Sequence, residues 1–348
     1  MANMRDVANT ASVSVSTVSA YLNGTKFVSP QLAQRIRGAL EQVGYDANSR
    51  QAKTSEELCE VAVILPGIYS SFFAPLLTGM TDAASEFDMN ILLFDSNHIW
   101  KRENVFIERL EKRGTKNLIL DSVCNLKHEE EYFTSIRRKL VEKNGICVVV
   151  LEREVKDDAF HSIYLDNFEA AYKATEHLIS MGHKRIVHIR GPKLFPHSSI
   201  RAEGYRQALH DYGVKADERL ILQGDYSPIS GFAAMSEFFA KGIDCTAVFS
   251  ANDQMAIGAM KAIRQQGLSV PEDVAIVGFD NLTVSSLISP GLSTVKYPIY
   301  QMGYLAVQTI AKTRQGAECP LRTKLNTQLI IRRSSDIHQQ DDWNLQKW

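Results

Sequence analysis

Val15, Ser16, Thr17 and Ser19 place hydroxyls and one small apolar group along a short stretch of chain. A hydroxyl both donates and accepts, which suits base edges and phosphate oxygens, and a small apolar side chain suits a thymine methyl. Such groups read DNA from a rigid rod in the major groove, so the residues around them must build helices. Their spacing does this. Val7, Ala8 and Ala11 make the inner face of one short helix, and Val15, Val18 and Leu22 that of a second, with a tight turn between them. Ser29 then stands as N-cap and Pro30 as first residue of a third helix, with Leu32, Ile36, Leu40 and Val43 on one face and Gly44 as its stop. Three short helices with so little apolar surface predict a compact headpiece, not an enzyme. Through Ser55 the bases Arg5, Lys26, Arg35, Arg37, Arg50 and Lys53 outnumber the acids Asp6, Glu41 and Asp46, the sign that phosphate binding requires.

At 348 residues the chain is too long for one hydrophobic core, and its formal charge of −1 is near balance. Cys59, Cys124, Cys147, Cys245 and Cys319 are scattered and form no CxxC pair, which argues against a disulfide or zinc framework and fits a reducing cytoplasm. The start has no signal-peptide pattern, and no apolar run reaches spanning length, so the expected location is cytoplasmic. Residues 46–60 are polar and read as a linker. Beyond them apolar strand candidates (61–65, 91–94, 117–120, 146–151, 163–165, 185–189, 220–222, 247–250 and 274–279) alternate with amphipathic helix candidates, among them 74–87, 168–181, 200–212 and 254–266. That alternation predicts parallel sheets covered by helices on both faces.

The residues resemble the LacI/GalR-type bacterial transcription regulators. In the headpiece the resemblance is carried by Asp6-Val7-Ala8, Val13-Ser14, Thr17-Val18-Ser19, Leu22-Asn23-Gly24, Val28-Ser29 and Gly44-Tyr45. It continues through Gly182-His-Lys-Arg-Ile186, Arg201-Ala-Glu-Gly-Tyr205, Ala251-Asn-Asp-Gln-Met-Ala-Ile-Gly258 and Val270 to Asp280. The resemblance implies an all-α helix-turn-helix headpiece (1–45), the linker (46–60) and an effector-binding, dimerising α/β domain (61–333) of two doubly wound parallel-sheet lobes, like a periplasmic binding protein. It further implies three crossings between lobes, placed near Asp166, Pro290 and Lys324. The first lobe is then about 61–165 plus 291–323 and the second about 166–290 plus 324–333, before a polar tail (334–348). That tail lacks leucine heptads, so a dimer is expected.

Ligands of open α/β sheets bind beyond the carboxyl ends of strands, so two facing sheets make a cleft. The resemblance points there to Phe72 and Phe73 as walls, Glu152 where Asp is usual, Arg201, Tyr226, Asn252, Asp253 and Asp280. Arg201, read as opening a helix, could clamp vicinal hydroxyls or a carboxylate with paired hydrogen bonds. Asp280 offers acceptors to hydroxyls or ring N–H groups, and the Tyr226 ring offers a stacking face. One of Asn252 and Asp253 could instead serve only to cap the following helix. No GxSxG, HExxH, Walker or GxGxxG string is present, and His177, His183 and His188 read as structural residues rather than metal ligands. No cofactor is expected.

Departures from the family pattern fall on the DNA-reading parts. Ser12 stands in the turn where Gly is usual, and a left-handed conformation there costs ~1 kcal/mol. Ala20 replaces a frequent arginine on the recognition helix, so a different half-site is expected, with Val15, Ser16 and Ala20 facing bases and Thr17, Asn23 and Ser29 on phosphates. Ala47 and Thr54 replace the proline and leucine of a hinge helix that in the family wedges the minor groove, so either the hinge does not insert or Arg50 and Lys53 bind phosphate instead. The expected function is a homodimeric, operator-binding regulator, most simply a repressor, controlled by a sugar or sugar phosphate. Open beside it stand a nucleobase ligand, a protein corepressor, a receptor whose headpiece no longer reads DNA, and an enzyme of sugar metabolism.

Overall fold

A computed structural model describes residues 4–23, 28–44, 59–193 and 195–340. They divide into two compact units, Met1–Cys59 and Glu60–Trp348. In the first unit three helices, α1 (Met4–Thr10), α2 (Val15–Asn23) and α3 (Pro30–Gln42), enclose a core of Val7, Ala8, Ala11, Val18, Ile36 and Ala39. Leu22, Leu32, Leu40 and Val43 pack around it, partly buried. Val15 is an exception to the expected inner face: it is 40% exposed, because its place at the first turn of α2 points it away from α1 and α3. Arg35 is likewise committed to the fold, donating from Nη2 to the Ala11 carbonyl at 2.7 Å and tying α3 to the turn.

The turn itself requires a positive φ, and Ser12 supplies it at φ 50. Its neighbour Ser14 caps α2 by accepting from the Thr17 N–H at 3.1 Å. Ser29 holds the N-cap position of α3 with extended backbone and Pro30 behind it, but its side chain makes no capping bond. Gly44, at φ 61, follows the end of α3.

In the second unit the first sheet runs in the order β11-β5-β4-β3-β1-β2 and the second β12-β10-β9-β8-β6-β7. The first contains β1 (Cys59–Leu65), β2 (Met89–Asp95), β3 (Asn117–Leu120), β4 (Cys147–Leu151), β5 (His161–Leu165) and β11 (Arg322–Leu325). The second contains β6 (Ile186–Arg190), β7 (Ile221–Gln223), β8 (Ala247–Ser250), β9 (Ala275–Asp280), β10 (Ser293–Lys296) and β12 (Gln328–Ile330). Only β12 pairs antiparallel, with β10, among the pairings described. The central strands are fully buried, as in β8 and β9, which is why they read as continuous apolar runs.

Helices α4 (Phe73–Glu86), α5 (Trp100–Arg113), α6 (Glu129–Ile136) and α12 (Ile299–Arg314) accompany the first sheet. Helices α7 (Asn167–Ser180), α8 (Pro196–Asp211), α9 (Pro228–Ala240), α10 (Asp253–Gln265) and the short α11 (Val284–Leu287) accompany the second. α4 and α12 touch backbone to backbone: a Cβ on Gly79 would stand 2.1 Å from the Tyr300 carbonyl oxygen, and one on Gly303 would stand 2.1 Å from that of Leu76.

The chain passes between sheets after β5, β10 and β11. The second passage follows Lys296 and not Pro290, because Ser293–Lys296 pairs in parallel with β9 and belongs to the second sheet. The linker boundary also moves, since β1 begins at Cys59. At the other end Ser334 and Ser335 are buried and do not start a tail: Ser334 Oγ donates to the Ile276 carbonyl at 2.6 Å and accepts from the Ser293 N–H at 2.8 Å. Among the described residues no helix is long and apolar enough to cross a membrane.

Relieving the left-handed strain at Ser12 should stabilise the headpiece. Ser12→Gly is expected to raise its unfolding free energy by ~1 kcal/mol, read as greater amide exchange protection of α1 and α2 in the intact protein; lower protection would count against a strained turn.

Candidate functional site

The carboxyl ends of both sheets converge on a cavity of about 320 Å³ within the second unit. The first lobe contributes Pro66, Phe72 and Phe73 after β1, His98 after β2, Asp121 after β3 and Glu152 after β4. The second contributes Phe195 and Arg201, Asp225 and Tyr226 after β7, Asn252 after β8 and Asp280 at the end of β9. Seven of the eight residues singled out from the sequence therefore come together: Phe72, Phe73, Glu152, Arg201, Tyr226, Asn252 and Asp280.

Asp253 does not join them. Its carboxylate turns into the second lobe and accepts from the Leu282 N–H at 2.8 Å, Ser285 Oγ at 2.6 Å and Thr294 Oγ1 at 2.6 Å. The sequence cannot separate adjacent Asn252 and Asp253 by chemistry, and each takes a structural part. Asn252 caps α10, accepting from the Met255 N–H at 2.9 Å, yet it also lines the cavity and donates to the Tyr226 carbonyl at 3.0 Å.

Arg201 lies in the second turn of α8, which begins earlier than expected because Pro196 can occupy a first-turn position. Its Nε donates to Asn167 Oδ1 at 2.8 Å and its Nη1 to the Ala251 carbonyl at 2.6 Å, while the guanidinium carbon sits 3.6 Å from the Phe279 ring centroid. These contacts fix the fork and leave its Nη2 edge for the cavity.

Four lining residues have positive φ: His98 at 57, Glu152 at 66, Tyr226 at 73 and Asp280 at 110. Residues of this kind hold such backbones only where the surroundings enforce them, and a cluster of them in one cavity marks a built site. The Tyr226 ring lies 5.6 Å from His197 and 6.2 Å from Phe195. His98 reaches Phe195 across the cleft at 5.4 Å, and Ser70 Oγ donates to Gln254 Oε1 at 3.0 Å between the lobes.

The electrostatics are unusual for a buried cavity. Burial, joined by repulsion from Glu152, holds the Asp121 carboxyl well above the usual range; burial and the neighbouring Asp253 do the same to Asp280. Burial pushes Glu152 up to about 7 against the opposing pull of Arg201 and Arg153, and its Oε1 accepts from the Tyr297 hydroxyl. His197 is driven well below 6.5 by burial and by Arg201, and His98 is lowered mainly by burial, so both rings are neutral. Sequence reasoning missed Asp121, His98, His197 and Asp225. Only Asp121 carried a readable signal, an acid directly after an apolar strand.

In the first unit Ser16 is exposed, and Thr17 and Ala20 are half-buried on α2. Thr17 Oγ1 shares a 2.7 Å hydrogen bond with Ser14. Asn23 ends α2. Arg50 and Lys53, with Ala47 and Thr54, lie outside the described residues. Among the histidines, His188 is stacked between Tyr205 and Phe249 with its Nδ1 3.0 Å from the Phe249 carbonyl, and His177 Nε2 lies 2.8 Å from Ser335 Oγ. Among the described residues no group of His, Cys, Asp and Glu is placed to hold a metal ion.

A helix-turn-helix headpiece followed by a two-lobed body of this kind is the build of a DNA-binding transcription regulator. Residues 3–48 match the family described as bacterial regulatory proteins, lacI family, and residues 175–335 the periplasmic binding protein-like domain. The chain is 32% identical over 338 residues to the HTH-type transcriptional repressor CytR of Escherichia coli (strain K12), covering 96% of each. It is 32% identical over 310 residues to the HTH-type transcriptional regulator AscG of the same strain, covering 87% of this chain and 89% of that one. Its structure is similar to that of the transcriptional regulator CelR in complex with cellobiose, with a TM-score of 0.70 at 28% identity, over 96% of this chain and 100% of that one. The chain belongs to the LacI family of bacterial transcription regulators.

Two outcomes follow from this geometry. Asp253→Ala leaves three donors without an acceptor and is expected to destabilise the second unit by at least about 3 kcal/mol in urea unfolding; a loss under about 1 kcal/mol would refute its bracing role. Glu152 has a folded value above its unfolded one, so its contribution is present below about pH 4.5 and disappears as pH rises through about 7. The groups facing it are Arg201, Arg153, Tyr297, Asp121 and Asp280. The melting temperature of Glu152→Gln relative to the parent is therefore expected to rise between pH 5 and pH 8, and a flat difference would show that Glu152 is not held protonated.

Proposed function

We propose that this chain is a homodimeric, cytoplasmic repressor that binds a near-palindromic operator through residues 1–45, under control of a small polyhydroxylated molecule held between the lobes. The observation that carries the reading is the convergence of Arg201, Asn252, Glu152, Asp280 and the Tyr226 ring on one cavity. Guanidinium and amide donors with carboxyl acceptors match the alternating donors and acceptors of a sugar, and aromatic rings match its apolar face. Between the two ligand classes expected from the sequence, the cavity favours a sugar over a sugar phosphate. Its carboxyl groups, Asp121, Asp225, Glu152 and Asp280, outnumber the one lining guanidinium, and a phosphate would add charge of the same sign.

On the DNA side, Val15 supports the reading because its exposure frees it for a base edge. Ser16 and Ala20 share that helix, and Thr17, Asn23 and Ser29 are assigned to phosphates, with Arg50 and Lys53 from the linker. Closure of the lobes around the ligand would change the headpiece spacing in the dimer. Operator and effector would then alter each other's affinity by the same factor.

The test is selection of bound fragments from a genomic DNA library by the full-length protein. One enriched palindromic motif is expected, and Asp280→Asn should keep that motif while reducing the effector's influence on it at least about tenfold. Sequence-independent binding alone would favour a receptor whose headpiece no longer reads.

A further inference from the structure

The cavity carries more acid than recognition of a neutral sugar requires. Asp121 follows β3 on the first lobe at 7% exposure, and Asp280 ends β9 on the second at 4%. Among the described residues no donor is bonded to either carboxyl group. Their oxygens are not sealed in the protein either, so they face the space that both residues line. Glu152 stands close enough to both to couple to each electrostatically.

Arg201 and Arg153 pull against burial at these carboxyl groups, but burial outweighs them. Arg201 has two of its three nitrogens tied to Asn167 and Ala251. Arg153 gives its terminal nitrogens to the Ser122 and Cys124 carbonyls and to Glu129. Burial disfavours the charged forms of His98 and His197, and Asp225, which accepts from the Ser227 N–H at 2.8 Å, adds a further acid to the lining. A buried carboxylate is costly where burial outweighs its counter-charges, and the ligand group that favours its ionised form is a cation with several donors. An ammonium has three. A hydroxyl could fill the same acceptors but would not favour their ionised form as a cation does.

We propose that the natural ligand carries an amine, bound as an ammonium between Asp121 of the first lobe and Asp280 of the second with Glu152 beside them, while its hydroxyls meet Arg201 and Asn252. The ligand class is an amino sugar. This rests on the reading of the cavity as the effector site, and it makes the ammonium a bridge that favours the closed arrangement of the lobes.

Isothermal titration of the full-length protein at neutral pH tests it, using glucosamine, galactosamine and mannosamine beside the parent hexoses, the N-acetyl derivatives and the hexose 6-phosphates. At least one amine is expected to bind about tenfold or more tighter than its parent hexose and its N-acetyl derivative, with no heat from the 6-phosphate. Asp121→Asn should cut the amine's advantage over its parent hexose about tenfold. The N-acetyl comparison keeps the nitrogen and removes its charge, and it needs no variant to fold. Equal or tighter binding of a hexose, an N-acetyl sugar or a 6-phosphate overturns the amine while leaving the effector cavity standing. Silence across the whole series overturns the sugar reading as well.

Discussion

The second lobe's half of the cavity depends on how one buried carboxylate is satisfied. Asp253 opens α10 and gathers donors from the loop after β9, from α11 and from β10. Those bonds hold the loop immediately after Asp280 against the neighbouring strand, and so help to fix the left-handed backbone that turns Asp280 into the cavity. An anion in the core is tolerated because its hydrogen bonds are complete, whereas Asp121 and Asp280, a few residues from equally apolar strands, are left incomplete. The contrast separates scaffold from site. Where acceptors are filled by the protein the residue braces the fold, and where they are left open it awaits a ligand.

The same division explains what could be read from residue types alone. The buried parallel strands were legible because both faces of β3, β4, β8 and β9 are covered, which leaves unbroken apolar runs. The strands β10, β11 and β12 were not, since Ser293-Thr-Val-Lys296 and Arg322-Thr-Lys-Leu325 carry polar side chains that are satisfied by long-range partners such as Asp253 and Ser335 or left exposed at an edge. No local period announces such a partner. Val15 misled for a related reason: apolar spacing cannot distinguish a core position from an apolar residue presented to the outside.

Within the site, position after a strand was the readable signal, and orientation was not. Asn252 and Asp253 are consecutive polar residues after β8, and a single step along the chain sends one into the cavity and the other into the core. Asp121 follows β3 as Glu152 follows β4, but the family resemblance drew notice only to the second. His98 and His197 are brought in by loops whose course depends on tertiary packing, so their place beside Phe195 and Tyr226 had no sequence signature.

The passages of chain between the lobes also govern the order in which the protein can be made. The first sheet begins with β1, yet its edge strand β11 pairs with β5 across more than the whole length of the second sheet's first five strands. Helix α12, whose Gly303 nests against α4, is likewise translated only after those strands have left the ribosome. The lobe started first thus waits for its last strand until five of the second sheet's six are made, and its half-built sheet must keep an unpaired edge and an uncovered helix face through that part of synthesis. Neither lobe is a contiguous piece of gene. A stop anywhere before Arg322 removes not a tail but a strand from the lobe at the other end of the chain.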